Sequence, residues 1–267
     1  MDTTQNHLWH AEEYHSHSFV QDEAATKIMH YFQLEGHEQV LDVGCGDGKI
    51  TARIASYVLT GSVTGIDISP EMINFACKTF PKEHFPNLTF LKQDAQYLNY
   101  NNEFDIIFSS FALQWVPDLS SFFKCIYKSL KSSGYIAVTI PLNISLPLEE
   151  SIKEIIALPQ WSPYFFNFSP KWHFITASKY KQLLEDQHFI LTQFTTVPQA
   201  VTFSSRKHFE KYVAQWFSYL RPLPQHLKHF FFKQIIDKYL EINPISTNGE
   251  VSFNFLRLDF IANKAIP

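Results

Sequence analysis

From residue 39 to residue 141 the chain alternates short apolar runs with amphipathic stretches, and this rhythm restricts the fold more than any other feature. Residues 39–43 read as a strand (Val40, Leu41, Val43). Residues 49–59 read as a helix, with Ile50, Ile54 and Val58 four apart on one face. Residues 62–68 form a second predicted strand. Ser69 and Pro70 then supply an N-cap hydroxyl and a first-turn proline, where no N–H is missed. Residues 88–92 and 104–109 are further strands. Asp118 reads as the cap of a helix with the apolar stripe Leu119, Phe122, Phe123, Ile126 and Leu130; Lys128 and Lys131 suit its C-terminal dipole and Gly134 its stop. Residues 135–140 are a fifth strand. Strand–helix alternation requires parallel strands joined by crossovers, hence an open, doubly wound α/β sheet.

After Pro141 the rhythm changes. Aromatics and prolines dominate 142–172. Helix-like stretches follow near 177–187, 206–219 and 225–240, with strand-like segments at 189–197 and 253–262. The expected organisation is a helical lid segment (1–38), a core (39–141), a mostly helical substrate cap (142–250) with one core strand near 189–197, and a final core strand (251–267). The 267 residues are 45% hydrophobic, enough for a sizeable core. A net charge of −4 with scattered cations leaves no nucleic-acid footprint. No apolar run approaches the ~18 residues of a membrane span. The polar, His-rich residues 1–17 resemble neither a signal nor a transit peptide. Cys45, Cys77 and Cys125 are widely spaced, which suits a reducing cytosol better than disulfides or zinc. The expectation is a cytoplasmic monomer or weak dimer with no metal.

The chain has only 8 glycines, against 26 phenylalanines, yet three fall within five residues: Gly44, Gly46 and Gly48. They end the first strand and open the first helix. Such a loop can bring backbone N–H groups and a positive helix end against a ligand with no Cβ in the way. Asp67 closes the next strand, where a carboxylate can hold ribose hydroxyls. To this point a nicotinamide dinucleotide and an adenosyl sulfonium fit equally. Three details separate them. Lys49 stands where GxGxxG wants glycine. Asp42 precedes the loop, where its charge would repel a pyrophosphate but welcome an ammonium or sulfonium. Asp94, followed by Ala95, ends the third strand and can accept from an adenine amino group. S-adenosylmethionine (SAM) fits better than NAD.

Val40 through Gly48, Gly65-Ile66-Asp67-Ile68-Ser69-Pro70-Glu71-Met72, Gln93-Asp94-Ala95, and Phe104-Asp105 through Leu113-Gln114-Trp115-Val116-Pro117-Asp118 together resemble the motifs of class I SAM-dependent methyltransferases, in order over 39–141. Within that class the chain looks most like trans-aconitate methyltransferases, in 113–118, in Leu220-Arg221-Pro222 and in the tail from Tyr239 through Asn248-Gly249 to Ile261. Juvenile-hormone-acid and malonyl-carrier-protein methyltransferases are similar in the core, and all three act on carboxylates. The resemblance implies a Rossmann-like sheet of seven strands, the last antiparallel, with a helical cap insertion. It also implies roles. Asp42 and the turn of Gly44, Cys45 and Gly46 would hold the methionine part of SAM. Asp67 would take the ribose, Ile68 would pack on adenine, and Asp94 with Ala95 would read its amino edge. Ser110 would touch the methionine end, and Tyr14 with Gln21 would close over the cofactor.

For the acceptor, Gln114 and Trp115 lie at the rim of the fourth strand, where ligands bind in open sheets; Trp115 could equally be core. Arg221, one of four arginines, offers the planar fork a carboxylate wants, or else anchors a loop by a salt bridge. Trp172, with Trp161 and Tyr164, could line an apolar acceptor cavity. His7 and His10 are too isolated for a metal, and Cys45 reads as packing. A carboxylate is already ionised at neutral pH and needs no general base, so no catalytic residue is expected. The leading reading is O-methylation of a small carboxylic acid, either like trans-aconitate or more hydrophobic. C- or N-methylation of a metabolite and a non-catalytic SAM-binding module stand as alternatives.

Overall fold

The computed structural model describes residues 11–32 and 34–265. His7 and His10, the start of the expected lid segment and the last two residues lie outside them. Seventeen elements of helix and strand follow in order: α1 (Ala11–His17), α2 (Phe19–Met29), β1 (Gln39–Val43), α3 (Lys49–Ala55), β2 (Ser62–Asp67), α4 (Pro70–Thr79), β3 (Leu88–Lys92), β4 (Phe104–Ser110), α5 (Leu119–Ser129), β5 (Leu130–Pro141), α6 (Leu146–Ile156), α7 (Ser162–Phe165), α8 (Ala177–Asp186), β6 (Phe189–Phe203), α9 (Arg206–Ala214), α10 (Gln225–Ile242) and β7 (Val251–Lys264).

One seven-stranded sheet runs in the order β3-β2-β1-β4-β5-β7-β6. β1 to β5 pair in parallel and β7 is antiparallel to β5, as expected for the final strand. Successive residues feed opposite faces. Val40, Ile106, Phe108 and Ala137 pack with Ala25, Ala52 and Ala76 from α2, α3 and α4. Leu41, Ile107, Ile136 and Val138 pack with Phe122, Phe123 and Leu184 from α5 and α8. Both faces are covered, so the strands read as continuous apolar runs. The chain leaves β1 outward to β2 and β3, then returns to β4 on the other side of β1. Ligands of open sheets bind at that reversal, beyond the strand carboxyl ends.

Two compact units result. Of the described residues, the core unit holds those within 11–142, 173–197 and 257–265; the second holds 143–172 and 198–256. This differs from the expected cap boundaries: α8 belongs to the core, where Tyr180 and Leu184 are buried. The second unit is built of rings. Phe209 stacks on Tyr239 at 4.7 Å and Phe165 on Phe231 at 5.1 Å. Trp161 lies edge-on to Phe231 and donates its indole N–H to Gln234 Oε1 at 2.6 Å. Phe203, Phe209, Phe217, Phe231, Phe253 and Phe255 are buried, so about half of this unit's phenylalanines are core.

Local differences from the sequence reading have physical causes. Helix α3 stops at Ala55, short of the expected 59, because the Asn87 side chain captures the carbonyls of Ala55 and Val58. Gly134 is not a helix stop. It lies within β5, where a Cβ would stand 3.0 Å from the carbonyls of Phe104 and Asp105. Lys131, also in β5, pairs with Asp105 at 2.7 Å. The helix α6 was hidden by its aromatic surroundings, although Pro147 sits in its first turn.

Candidate active site

The loop after β1 turns through left-handed backbone at Gly44 (φ 75°) and Gly48 (φ 82°). A Cβ on Gly44 would lie 2.2 Å from the Ala112 Cβ, and one on Gly48 would lie 2.6 Å from the Phe90 ring. Glycine is required at both by conformation and by space. The loop does not offer its N–H groups as a cradle, contrary to the expectation. Gly44 and Cys45 both donate to Ile66 O at 2.8 and 3.0 Å, and Gly48 donates to Cys45 O. Gly46 donates to Asp67 Oδ2 at 3.0 Å. With these donors engaged, the loop suits a group that needs bare backbone and acceptors rather than a pyrophosphate.

Carboxylates ring the loop. Asp42, buried near the end of β1, accepts the Thr51 hydroxyl at 2.7 Å. Burial pushes its pKa up to about 7; the Thr51 bond opposes this, and the charges of Asp67 and Asp47 add to it. Asp67 ends β2 and also accepts from Ser69 N at 2.8 Å; burial raises its pKa while these backbone bonds hold it down. Asp94 caps a 3₁₀ turn at Ala95–Tyr97 by accepting from Gln96 N. Asp118 caps α5 through Ser121, as its position predicted.

These groups border an open cleft inside the core unit. Tyr14, Gly44, Gly46, Asp67, Ile68, Asp94, Ala95, Ser110 and Trp115, all picked out in the sequence, line it. Ile68 exposes an apolar side chain beside Asp67. The sequence reading missed Met72, Gln93, Gln96, Phe111 and Val116 on the same walls. Phe111 is left-handed at φ 52°, a conformation that surrounding structure must impose on a non-glycine residue.

A smaller recess is lined by Tyr14, Ser18, Gln21, Asp42, Cys45 and Ser110, among others. Ser18 Oγ, Gln21 Oε1 and Ser110 Oγ are buried there without a hydrogen-bond partner. Unpartnered oxygens beside a carboxylate are the acceptor set that an ammonium needs. Helix α1, which carries Tyr14, is pinned to the loop: His15 Nδ1 donates to Asp47 Oδ2 at 2.7 Å. Asp22 of α2 pairs with Lys49 and Arg53 of α3. The His15–Asp47 pair joins residues far apart in sequence, and no local pattern signals it.

The acceptor candidates separate. Trp115 is on the cleft. Gln114 is buried and is not on the cleft lining; its amide donates to Phe111 O at 2.7 Å. Trp172 and Arg221 belong to the second unit. Trp172 packs its ring against Trp216 and Tyr219. Arg221 is exposed and makes no ion pair among the described residues, so it is not a salt-bridge anchor. Among the described residues no group of His, Cys, Asp or Glu could hold a metal, and no helix is long and apolar enough to cross a membrane.

A parallel sheet reversing at β1, a glycine loop with its donors turned inward, and acids at the ends of three neighbouring strands define a nucleoside-binding transferase core. Residues 34–196 match the family described as methyltransferase domain, and the chain belongs to it. It is an S-adenosylmethionine-dependent methyltransferase. The 235L protein of Invertebrate iridescent virus 6 is 26% identical over 251 residues, 93% of this chain and 91% of that protein. Trans-aconitate 2-methyltransferase of Enterobacter sp. is 24% identical over 262 residues, 96% and 98% of the two chains. The structure of Haemonchus contortus phosphoethanolamine N-methyltransferase 2, solved with phosphomonomethylethanolamine and S-adenosylhomocysteine, superposes with a TM-score of 0.60. It is 19% identical and covers 99% of this chain and 59% of that one, a likeness of fold.

Proposed function

We propose that this methyltransferase O-methylates the carboxylate of a small organic acid in the cytosol. SAM supplies an electrophilic methyl group on a sulfonium. In this reading Asp42, with Gln21 and Ser18, receives the ammonium. Asp67 holds the ribose hydroxyls, Ile68 packs on the adenine, and Asp94 with Ala95 reads its amino edge. Tyr14 covers the site, and Gly44, Cys45 and Gly46 give the methionine chain an unobstructed floor, with Ser110 at its end.

The observation that carries the acceptor is the chemistry of the cleft. Among its described lining residues there is no histidine, lysine or glutamate, and its two aspartates already accept backbone N–H bonds. An acceptor arriving as a carboxylate has no proton to give up. What the protein must add is placement and exclusion of water, and effective molarity alone is worth ~7–11 kcal/mol. The reaction named for the full-length Enterobacter relative agrees with this.

The cations of the chain bear on which acid. Arg53, Arg206 and Arg257 are held by Asp22, by Glu210 and Asp237, and by Asp259. Arg221 remains, near Lys171. Burial and the Arg221 charge both lower the Lys171 pKa. Among the described residues neither cation pairs with an acid, and two such neighbouring charges suit an acid of one or two charges, more hydrophobic than a tricarboxylate. Arg221→Met is expected to raise KM for the acid about tenfold or more, with kcat little changed and the Kd for SAM unaltered. Steady-state kinetics over both substrates, with calorimetry for SAM, make the check. An unchanged KM removes Arg221 from the acceptor site.

A further inference from the structure

The wall of the cleft after β4 turns on one strained residue. Phe111 lines the cleft and holds left-handed backbone at φ 52°. A non-glycine residue takes that conformation at a cost, and keeps it only where its neighbours over-determine it. Its N–H and its carbonyl are both held. Phe111 N donates to Thr139 O at 2.9 Å, and Phe111 O accepts from Gln114 Nε2 at 2.7 Å. The first hold extends the sheet. Thr139 pairs with Ser110 across β4 and β5, and its hydroxyl donates to Asp259, which is paired with the buried Arg257. The second hold comes from a single side chain.

Gln114 is buried, at 6% exposure, in the 3₁₀ turn Leu113–Trp115. That turn is anchored. Leu113 is fully buried, Trp115 N donates to Ala112 O, and Gln114 O accepts from His173 N at 2.7 Å. The other half of the amide is idle: Gln114 Oε1 is buried without a hydrogen-bond partner. Such an oxygen has lost its water and gained nothing in return, and folded proteins rarely keep one without a reason. A methionine of similar length would fill the same space without that cost. It could not donate to Phe111 O.

The consequence reaches the glycine loop. Left-handed backbone at Phe111 turns the chain back beyond the end of β4 and lays Ala112 on Gly44, so closely that a Cβ on Gly44 would stand 2.2 Å from the Ala112 Cβ. Ser110, Phe111, Ala112 and Trp115 then line the same cleft as Gly44 and Gly46, all within the core unit. Right-handed backbone at Phe111 would redirect the chain and lift Ala112 away from Gly44.

We infer that Gln114 is a positioning residue for SAM. It lies behind the cleft rather than on it, and its amide locks Phe111 left-handed, which sets the wall that meets the cofactor. This rests on the reading that SAM occupies this cleft.

The test is a double-mutant cycle of Gln114→Met and Phe111→Gly, with SAM and S-adenosylhomocysteine titrated by calorimetry and a thermal melt of each protein. Gln114→Met is expected to weaken both ligands about tenfold, because the left-handed state must then be held without the amide. Its melting temperature should stay within about 2 °C of wild type, since the lost bond and the removed orphan oxygen offset each other. Glycine takes left-handed backbone freely. In the Phe111→Gly background, adding Gln114→Met should therefore weaken binding less than about twofold. That coupling marks action through the backbone of residue 111. Equal weakening in both backgrounds would mean a packing role and overturn the inference, as would wild-type affinity in Gln114→Met. Should Gln114→Met fail to fold, Gln114→Leu takes its place in the cycle. Phe111→Asn, which tolerates the same conformation, gives a second background that keeps a side chain on the wall. Asp67→Ala is run alongside. If Gln114→Met binds normally and Asp67→Ala does not, the inference falls and the cleft reading stands; if both bind normally, both fall.

Discussion

Replacing Asp67 with Ala is expected to weaken SAM binding by about 100-fold or more. The carboxylate does two jobs. Its oxygens accept from Gly46 N and Ser69 N, which holds the glycine loop against the start of α4. Each oxygen keeps a further lone pair, directed in the proposed complex to a ribose hydroxyl. Hydrogen bonds to a charged group contribute about 1.5–3 kcal/mol each, so losing two costs at least about 3 kcal/mol, or a factor of ~100. Asp67→Asn keeps an acceptor and should lose less. Calorimetric titration with SAM and S-adenosylhomocysteine, beside a thermal melt to show that the variant is folded, makes the check. A folded Asp67→Ala protein that binds SAM as tightly as wild type would remove Asp67 from the ribose site.

The second large effect is in pH. Asp42 has its pKa raised from 3.8 to about 7, chiefly by burial, so the ligand-free native state holds this proton more tightly than the unfolded chain does. The sign follows: this group's contribution to stability declines as pH rises from about 4 to about 7. An ammonium beside Asp42 favours the ionised carboxylate, so binding SAM there must release a proton whenever pH is below about 7. SAM affinity should therefore climb with pH, by up to about tenfold per unit, and level off near 7. Above about 8 the α-amino group of the ligand itself loses its proton. Asp42→Asn should abolish the acid limb and lower the plateau. Calorimetry in buffers of different ionisation enthalpy counts the proton directly. A flat affinity between pH 5.5 and 7 in the wild type would place the ammonium elsewhere.

Much of the core was legible because it is written in local periodicity. Strands buried on both faces read as apolar runs, and caps such as Ser69 and Asp118 sit where a hydroxyl or carboxylate meets an apolar stripe. The acids at 42, 67 and 94 were legible because each ends or closely follows a strand, and open sheets collect strand ends at one edge. What could not be read depends on partners distant in sequence. The inward turn of the loop N–H groups depends on Ile66 O, and the anchoring of α1 depends on Asp47. Gly134 has the signature of a helix stop, yet its cause is the backbone of 104–105 pressing from the next strand. In the second unit the signal itself was ambiguous. Dense phenylalanine reads equally as a packed core or as the wall of a chamber, and only burial shows that Phe209, Phe217 and Phe231 are core.

The most direct measurement of the central claim is the chemical fate of the transferred methyl group. Enzyme is incubated with SAM labelled on the methyl and a panel of small organic acids, and the product is treated with mild base. Methylation of a carboxylate gives an ester, so the label should leave as volatile methanol, in an amount that scales with enzyme and disappears with Asp67→Ala. Label that enters product and stays there through base treatment would mean transfer to nitrogen or carbon, and would contradict the carboxylate assignment.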